Sequence, residues 1–234
     1  MTNGSGFLLI DKPPGWTSHD VVAHVRKIGG VRKVGHGGTL DPMATGLLVI
    51  GLGAATKELE RFARGDKTYV AEVTLGATTA TDDAEGEPKP VPDAPKPSRA
   101  DVELALKRFE GDVEQLPPTY SAIKTGGKKA YVEARKGREV ERKPRNVTVR
   151  SIKLVRYEWP VVEFRCTVSK GTYIRSIARD LGEKLGTGGY LSSLRREKVG
   201  GFDVSRAVGA DVIDGPWFEL EKRILPLDDS TQSR

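Results

Sequence analysis

Strand-like segments that follow one another along the chain constrain its fold more than any other feature of the sequence. Residues 67–76 (KTYVAEVTLG) and 161–169 (VVEFRCTVS) alternate apolar and polar side chains, which is typical of strands with one buried face. Residues 47–53 (LLVIGLG) are apolar between glycines, which predicts a strand buried on both faces. Strands outnumber helices in this pattern, so a mixed α+β fold is expected rather than regular βαβ alternation.

Helices are predicted where capping residues precede apolar side chains at helical spacing. Thr17 and Asp20 form such a capping pair at the start of one helix. The clearest helix covers residues 172–186 (TYIRSIARDLGEKLG), whose apolar residues form a single stripe. Residues 85–98 carry five of the fourteen prolines, and we expect an extended surface connection there that joins no strand ladder.

The composition excludes several classes of protein. The chain has 234 residues with a single cysteine, Cys166, and three histidines, which leaves no internal disulfide and no Cys/His cluster for zinc. Cys166 falls on the apolar face of its predicted strand, so we interpret it as a small core residue. No stretch approaches a membrane span of about 18 apolar residues, and the N-terminal residues lack the pattern of a secretory signal. We therefore expect a cytoplasmic monomer that binds neither metal nor membrane.

Positive charge is concentrated in one part of the chain. The net charge is +6, and residues 124–150 hold ten Lys and Arg residues against three acids. Such a cluster is either a solvated face or a contact surface for an anionic partner. The neighbouring Tyr120 and Tyr131 favour nucleic acid, because aromatic stacking combined with phosphate neutralisation is a common way to bind it.

Residues 35–46 (GHGGTLDPMATG) contain one carboxylate, Asp41, among glycines, threonines and a proline. Asp41 is either a turn residue before Pro42 or a functional group. The glycines allow a ligand to approach the backbone closely, and the apolar strand that follows would anchor the loop. A Walker phosphate loop is excluded, because Gly38 is followed by Thr-Leu-Asp rather than by Lys and Ser or Thr.

Two nearby residues have more than one interpretation on sequence alone. His36 is either a general base or a surface hydrogen-bond donor. Lys12, in DKPPG, is either a phosphate contact or an exposed turn residue. The spacing of these residues does not choose between the alternatives.

Taken in order, six motifs in this sequence resemble those of the TruB family, the bacterial tRNA pseudouridine-55 synthases. The motifs are DKPPGWTS, GHGGTLDPMATG, KTYVAEVTLG, LPPTYSAIKTGGKKAYVEAR, SKGTYIRSIARDLG and LSSLRREKVGGF. The resemblance runs from about Phe7 to Asp228 and implies a largely antiparallel central sheet flanked by helices. It also implies one catalytic domain over residues 1–228, with an inserted RNA-binding thumb at about residues 117–146. Residues 229–234 would be a short tail, without the C-terminal PUA domain that many relatives carry.

The resemblance assigns catalytic roles to four residues. Asp41 matches the catalytic aspartate, and Arg175 matches the arginine that pairs with it. Tyr69 matches the tyrosine that stacks on the target base, and Tyr173 matches a second tyrosine of the active site. An arginine beside Asp41 would keep its carboxylate ionised.

Further residues are implied to contact the substrate or to line its pocket. His36 matches a histidine that enters the RNA loop and helps to hold the flipped base, and Leu194 matches an apolar residue of the pocket. Lys12 matches a lysine beside the active site, and Asp83 matches an acid that binds the catalytic arginine when RNA is absent. The other residues expected to bind RNA, in or next to the basic segment, are Tyr120, Lys124, Lys128, Lys129 and Arg135.

The implied activity is the isomerisation of uridine 55 in the T loop of tRNA to pseudouridine, without a cofactor. The base leaves the sugar through N1 and returns through C5, so no water molecule has to be activated and one carboxylate is sufficient. An RNA-binding protein or tRNA-folding chaperone is the alternative from another class. A third and weaker alternative, base removal by a glycosidase, is disfavoured because no residue is identified that would activate water.

Overall fold

The structure is a computed structural model, and it describes residues 5–120, 124–125, 128–129, 142–213 and 215–227. The chain divides into two compact units. Unit 1 comprises Met1–Tyr69 and Leu194–Arg234, and unit 2 comprises Val70–Ser193. Unit 2 is therefore one uninterrupted stretch of sequence, whereas unit 1 is made of two.

The elements are numbered in chain order. The strands are β1 (Gly6–Lys12), β2 (Val34–His36), β3 (Thr45–Leu52), β4 (Lys67–Leu75), β5 (Ala77–Thr78), β6 (Lys89–Pro90), β7 (Gly111–Gln115), β8 (Lys124–Thr125), β9 (Lys128–Lys129), β10 (Arg145–Glu158), β11 (Val161–Val168), β12 (Gly189–Val199) and β13 (Phe202–Asp203). The α-helices are α1 (Ser18–Gly29), α2 (Leu59–Arg64), α3 (Arg99–Lys107), α4 (Ile174–Leu185), α5 (Ala210–Ile213) and α6 (Trp217–Glu221). Short 3-10 helices cover Gly53–Glu58 and Val204–Arg206.

The sheet of unit 1 is built around β3. Strand β1 pairs with β3 in antiparallel fashion, with Lys12 opposite Gly46, and β2 is also antiparallel to β3. The C-terminal part of β12 runs parallel to β3 and places Arg196 opposite the same glycine. Strand β13 turns back along β12. The segment between β2 and β3, which contains Asp41, is therefore bounded by paired strands on both sides.

Both faces of β1 and β3 are buried, because alternate residues of each strand belong to two different hydrophobic clusters. Leu8, Ile10, Leu48 and Ile50 pack in the cluster that contains the α1 residues Val21, Val22 and Val25. Phe7, Leu9, Leu47 and Val49 pack in the cluster that contains Phe62 of α2. The prediction of a strand buried on both faces is confirmed. Helix α1 starts at the predicted capping box of Thr17 and Asp20.

In unit 2 the strands are hydrogen-bonded in the order β4, β11, β10, β7. Strand β10 is antiparallel to both β11 and β7. Helix α3 buries Val102, Ala105 and Leu106, and α4 buries Ile174, Ile177, Ala178 and Leu181. Antiparallel pairs predominate in the described sheets, which confirms the predicted α+β class. Cys166 lies in β11 and is 1% exposed, as expected of a core residue.

The expectation that residues 85–98 join no ladder is wrong. Lys89 and Pro90 form β6, which pairs with β5 so that Pro90 lies opposite Ala77. Pro90 has no amide hydrogen to donate, but the amide of Val91 donates to the carbonyl oxygen of Gly76 at 2.9 Å. Proline is tolerated here because the ladder is only two residues long and its neighbours supply the donors.

Candidate active site

Hydrogen bonds from other parts of unit 1 hold the backbone of the Asp41 loop, residues 37–44. The amide of Gly15 donates to the carbonyl oxygen of Pro42 at 2.9 Å. The Ser18 hydroxyl, on the first turn of α1, accepts from the amide of Leu40 at 2.8 Å. Asp41 itself is partly exposed. Its side chain is thus accessible to a ligand while the backbone around it is fixed.

Lys12 lies at the end of β1 and is fully buried. Its ammonium donates to the carbonyl oxygens of Pro13 at 2.9 Å, Trp16 at 2.6 Å and Pro42 at 3.1 Å. The interpretation of Lys12 as an exposed turn residue is therefore wrong. A buried ammonium needs several acceptors, and the loop carbonyls provide them. One of these acceptors is the residue directly after Asp41.

His36 is the last residue of β2 and is partly buried beside the Asp41 loop. Its Nδ1 accepts a long hydrogen bond, 3.4 Å, from the amide of Gly38. Burial lowers the pKa of His36 below its ordinary value of 6.5, and the positive charges of Arg196 and His19 lower it further. The structure therefore favours a neutral imidazole at this position.

Tyr69 and Leu194 mark the two places where the chain passes between unit 1 and unit 2. Tyr69 lies in β4 and is 9% exposed, and Leu194 lies in β12 and is 7% exposed. The carbonyl oxygen of Leu194 accepts from the hydroxyl of Thr45, next to the Asp41 loop, at 3.5 Å. Unit 1 thus contains the candidate residues Lys12, His36, Asp41, Tyr69 and Leu194.

Unit 2 contains Arg175, whose guanidinium lies next to acceptors of the same unit. Nη1 lies 3.2 Å from Oδ2 of Asp83 and donates to the carbonyl oxygen of Thr81 at 3.2 Å, and Nη2 donates to that of Tyr120 at 3.1 Å. The side chains of Arg175 and Asp83 are 7% and 2% exposed. In this state the candidate catalytic arginine is paired with Asp83.

Asp83 is itself held firmly. Its Oδ1 accepts from the Thr81 hydroxyl at 2.6 Å and from the Glu85 amide at 3.1 Å. Because Oδ1 is bound in this way, Oδ2 is directed at Arg175. A second pair lies one helical turn further along α4, where Arg179 is 3.0 Å from Asp82.

Tyr173 precedes α4 and serves as its N-cap residue without a side-chain cap. Both of its backbone groups are bound by Gln115 of β7. The Gln115 amide nitrogen donates to the Tyr173 carbonyl oxygen at 3.0 Å, and the Tyr173 amide donates to the Gln115 side-chain oxygen at 2.8 Å. Gln115 therefore fixes the start of the helix that carries Arg175.

The basic segment is only partly within the described residues. Lys124, Lys128 and Lys129 lie in the antiparallel strands β8 and β9, in which Lys124 pairs with Lys129. Arg135 lies outside the described residues. Directly before the expected thumb, the hydroxyl of Ser176 and Nη2 of Arg179 both donate to the carbonyl oxygen of Leu116, each at 2.9 Å.

Sequence reasoning missed Arg196 and Gln115. Arg196 is 1% exposed and donates to loop carbonyls next to Asp41, and Gln115 is 4% exposed. A weak signal exists for Arg196. Side chains alternate between the two faces of a strand, so in β12 Arg196 shares the buried face of Leu194, whereas Arg195 lies on the opposite face. Gln115 has no comparable signal, because its partner Tyr173 is distant in sequence.

Within the described residues, no group of three or more His, Cys, Asp or Glu side chains is placed to hold a metal ion. The helices of that same part include none that is long and apolar enough to cross a membrane. The groups available for chemistry are the carboxylate, imidazole, phenol and guanidinium side chains described above.

Comparison with solved structures defines the class of protein. The chain matches one from a Cbf5-Nop10-Gar1 complex with a TM-score of 0.76 and 31% identity, over 96% of this chain and 61% of that one. It matches one from an H/ACA RNP bound to a substrate RNA containing 2'-deoxyuridine with a TM-score of 0.73 and 29% identity, over 96% and 60%. The fold is that of the pseudouridine synthases.

The chain belongs to the TruB family. The model described as TruB family pseudouridylate synthase (N terminal domain) matches residues 26–174, and that of the tRNA pseudouridylate synthase B C-terminal domain matches residues 175–231. A protein from Leifsonia xyli subsp. xyli is 52% identical over 87% of this chain and 70% of its own length. One from Opitutus terrae is 44% identical over 95% of this chain and 92% of its own length. Both relatives are named tRNA pseudouridine synthase B.

Proposed function

We propose that this protein is a tRNA pseudouridine synthase that converts uridine 55 of the T loop to pseudouridine. The observation that carries the proposal is the TruB family match, which extends from residue 26 to residue 231. The structure adds a partly exposed carboxylate, Asp41, on a loop fixed by buried hydrogen bonds. Rigid backbone around a reactive side chain is what a catalytic group needs.

In the proposed reaction Asp41 acts on the sugar of the target uridine. The bond between C1′ and N1 breaks, the uracil turns, and a bond between C1′ and C5 forms. The proton on C5 is lost and N1 gains one, so that product and substrate are isomers. Direct attack on C1′ and removal of a sugar proton in a glycal route both use the same carboxylate.

Arg175 and Asp83 form a buried ion pair close to the candidate catalytic residue Tyr173. Asp83 pairs with Arg175 at 3.2 Å in the structure and keeps the buried guanidinium from being an uncompensated charge. The resemblance to the TruB family assigns Arg175 a further role, which is to keep the carboxylate of Asp41 ionised during the reaction.

The target base must leave its stack before it can reach Asp41, which costs a few kcal/mol. Stacking on Tyr69 offsets about 1 to 3 kcal/mol of this. A neutral His36 ring enters the RNA loop in place of the base, and Leu194 lines the pocket. The lowered pKa of His36 supports the neutral form, which is easier to desolvate between bases than a cation.

We further propose that the enzyme works in the cytoplasm as a monomer, with the T stem-loop as its binding determinant. Light scattering of the purified protein, alone and with a T stem-loop RNA, tests this. A stable dimer without RNA would contradict the monomer.

Tritium release from C5-labelled uridine in an unmodified tRNA transcript tests the activity. We expect wild type to release tritium and Asp41→Asn to bind the RNA equally well without releasing any. Asp93→Asn is the matched control, because Asp93 is exposed and has a left-handed φ of 51° that asparagine tolerates. Turnover by Asp41→Asn would refute the catalytic role, and binding without release by wild type would favour the chaperone alternative.

A further inference from the structure

Arg196 is fully buried, and all three nitrogens of its guanidinium donate hydrogen bonds to backbone carbonyl oxygens of the Asp41 loop and of β3. Its Nε donates to the carbonyl oxygen of Leu47 at 2.7 Å. Its Nη1 donates to that of Thr39 at 3.3 Å, and its Nη2 to that of Gly38 at 3.1 Å. These acceptors lie on both sides of Asp41 in sequence, so one planar group bridges the two ends of the loop.

The neighbouring Arg195 shows that this arrangement is not a general property of the strand. Arg195 is 41% exposed and binds both carboxylate oxygens of Asp11, at 3.0 and 2.6 Å. Arg196, in contrast, has no carboxylate partner among the residues that the structure describes. Buried cations are usually paired with an acid, because desolvation of an ion is costly. Here the acceptors are backbone carbonyl oxygens, two in the Asp41 loop and one in β3.

The backbone of Arg196 is fixed as tightly as its side chain. It lies opposite Gly46, which has a φ of +98°, in the parallel pairing of β12 with β3. A Cβ on Gly46 would lie 2.3 Å from the carbonyl oxygen of Arg196 and 2.7 Å from its amide nitrogen. Strands β12 and β3 are too close at this point for either backbone to shift. The backbone that carries the guanidinium is therefore rigid.

We propose that Arg196 is a positioning residue of this enzyme: its guanidinium sets the distance between the two ends of the loop and thereby fixes the Asp41 carboxylate for reaction. At 1% exposure it does not touch the substrate, and it acts through the backbone of Gly38, Thr39 and Leu47. The inference rests on the proposed function, since Asp41 is the group that is positioned. Lysine at this position keeps the charge but offers a single nitrogen in place of the planar fork.

The test compares Arg196→Lys with Arg195→Lys, its matched control on the same strand. We expect kcat for tritium release to fall by about 10- to 100-fold in Arg196→Lys, because small displacements of a reacting group cost rates of that order. KM and the Kd for the RNA should stay near the wild-type values. Arg195→Lys should keep kcat close to that of wild type. A wild-type kcat in Arg196→Lys, or equal losses in both variants, would overturn the proposal.

Hydrogen exchange separates this inference from the proposed function, because it needs no activity. The amides of residues 38–44 should exchange faster in Arg196→Lys than in wild type or Arg195→Lys. If wild type releases no tritium, the proposed function fails while the exchange data still show whether Arg196 holds the loop. Unchanged exchange in Arg196→Lys would overturn the positioning role.

The folded wild-type protein supplies a measurement that does not depend on any variant. The Nε–H of Arg196 should exchange slowly with solvent by NMR, as expected of a buried donor to the Leu47 carbonyl oxygen. The Nε–H of Arg195 should exchange fast. Should Arg196→Lys fail to fold, rapid exchange at Arg196 in wild type would still overturn the proposal.

Discussion

At the residue scale, two fully buried cations hold the backbone on either side of Asp41. Lys12 comes from the end of β1 and binds the Pro42 carbonyl oxygen, and Arg196 comes from β12 and binds those of Gly38 and Thr39. Because these hydrogen bonds fix the backbone of the loop, little reorganisation is needed when the substrate arrives. Preorganised groups of this kind account for much of the rate enhancement of enzymes.

Tyr69 provides a residue-scale prediction about RNA binding. Tyr69→Phe should bind a T stem-loop RNA almost as well as wild type, because the stacking ring remains. Tyr69→Leu should lose about 1 to 3 kcal/mol of binding free energy, the typical contribution of base–aromatic stacking. Fluorescence anisotropy with labelled RNA measures both. Equal affinities of Tyr69→Leu and wild type would show that Tyr69 does not stack on the base.

His36 provides a prediction about pH and stability. Its pKa in the folded protein lies below 6.5, mainly because of burial and then because of Arg196. The unfolded chain therefore takes up a proton first as the pH falls below 6.5, and the free energy of unfolding decreases until the pH reaches the folded-state pKa. Above that window His36 contributes no pH dependence.

Urea unfolding of wild type and His36→Asn from about pH 8 to about pH 5 measures this effect. The stability of wild type relative to His36→Asn should fall as the pH decreases through the window. A difference that is independent of pH would show that the surroundings of His36 do not favour the neutral ring.

At the element scale, the N-cap residue of α4 is held by a side chain from another element, because Gln115 of β7 binds both backbone groups of Tyr173. Gln115→Ala removes both hydrogen bonds to the backbone of Tyr173 and should lower the free energy of unfolding by about 1 to 3 kcal/mol, the cost of leaving buried polar groups unpaired. It should also lower kcat, because Tyr173 and Arg175 begin the same helix. Gln115→Glu keeps the acceptor for the Tyr173 amide. Its free energy of unfolding, measured with urea, should lie between those of wild type and Gln115→Ala. Wild-type stability of Gln115→Ala would show that these two hydrogen bonds do not hold the start of α4.

The elements themselves could be predicted where their signal is local. The capping box at Thr17 and Asp20 and the apolar stripe of α4 are visible in the sequence, and both are present in the structure. The pairing of β12 with β3 joins residues about 150 positions apart and leaves no periodic trace. For the same reason the site was only partly predictable: a lysine or arginine in a motif does not show whether carbonyl oxygens elsewhere in the fold will bury it, as they do Lys12 and Arg196.

At the scale of the whole molecule, the basic segment should dominate the salt dependence of RNA binding. Replacing Lys124, Lys128, Lys129 and Arg135 together by Gln should reduce the slope of log K against log salt by about 3 between about 50 and 200 mM salt, since each neutralised phosphate contributes about 0.7 to 0.9. The control variant loses four exposed lysines elsewhere in unit 2, namely Lys89, Lys107, Lys153 and Lys184. It makes the same change in net charge and should keep the wild-type slope. Equal slopes for the two variants would mean that the segment is only solvated.

Unit 1 is built from two separated stretches of the chain, so the ribosome delivers its second stretch late. The strands around Asp41 emerge first, and the roughly 120 residues of unit 2 follow, which takes about 6 to 25 s at typical translation rates. Only then does Arg196 leave the ribosome and reach the loop carbonyls. The nascent chain is therefore expected to stay catalytically inactive until synthesis is almost complete.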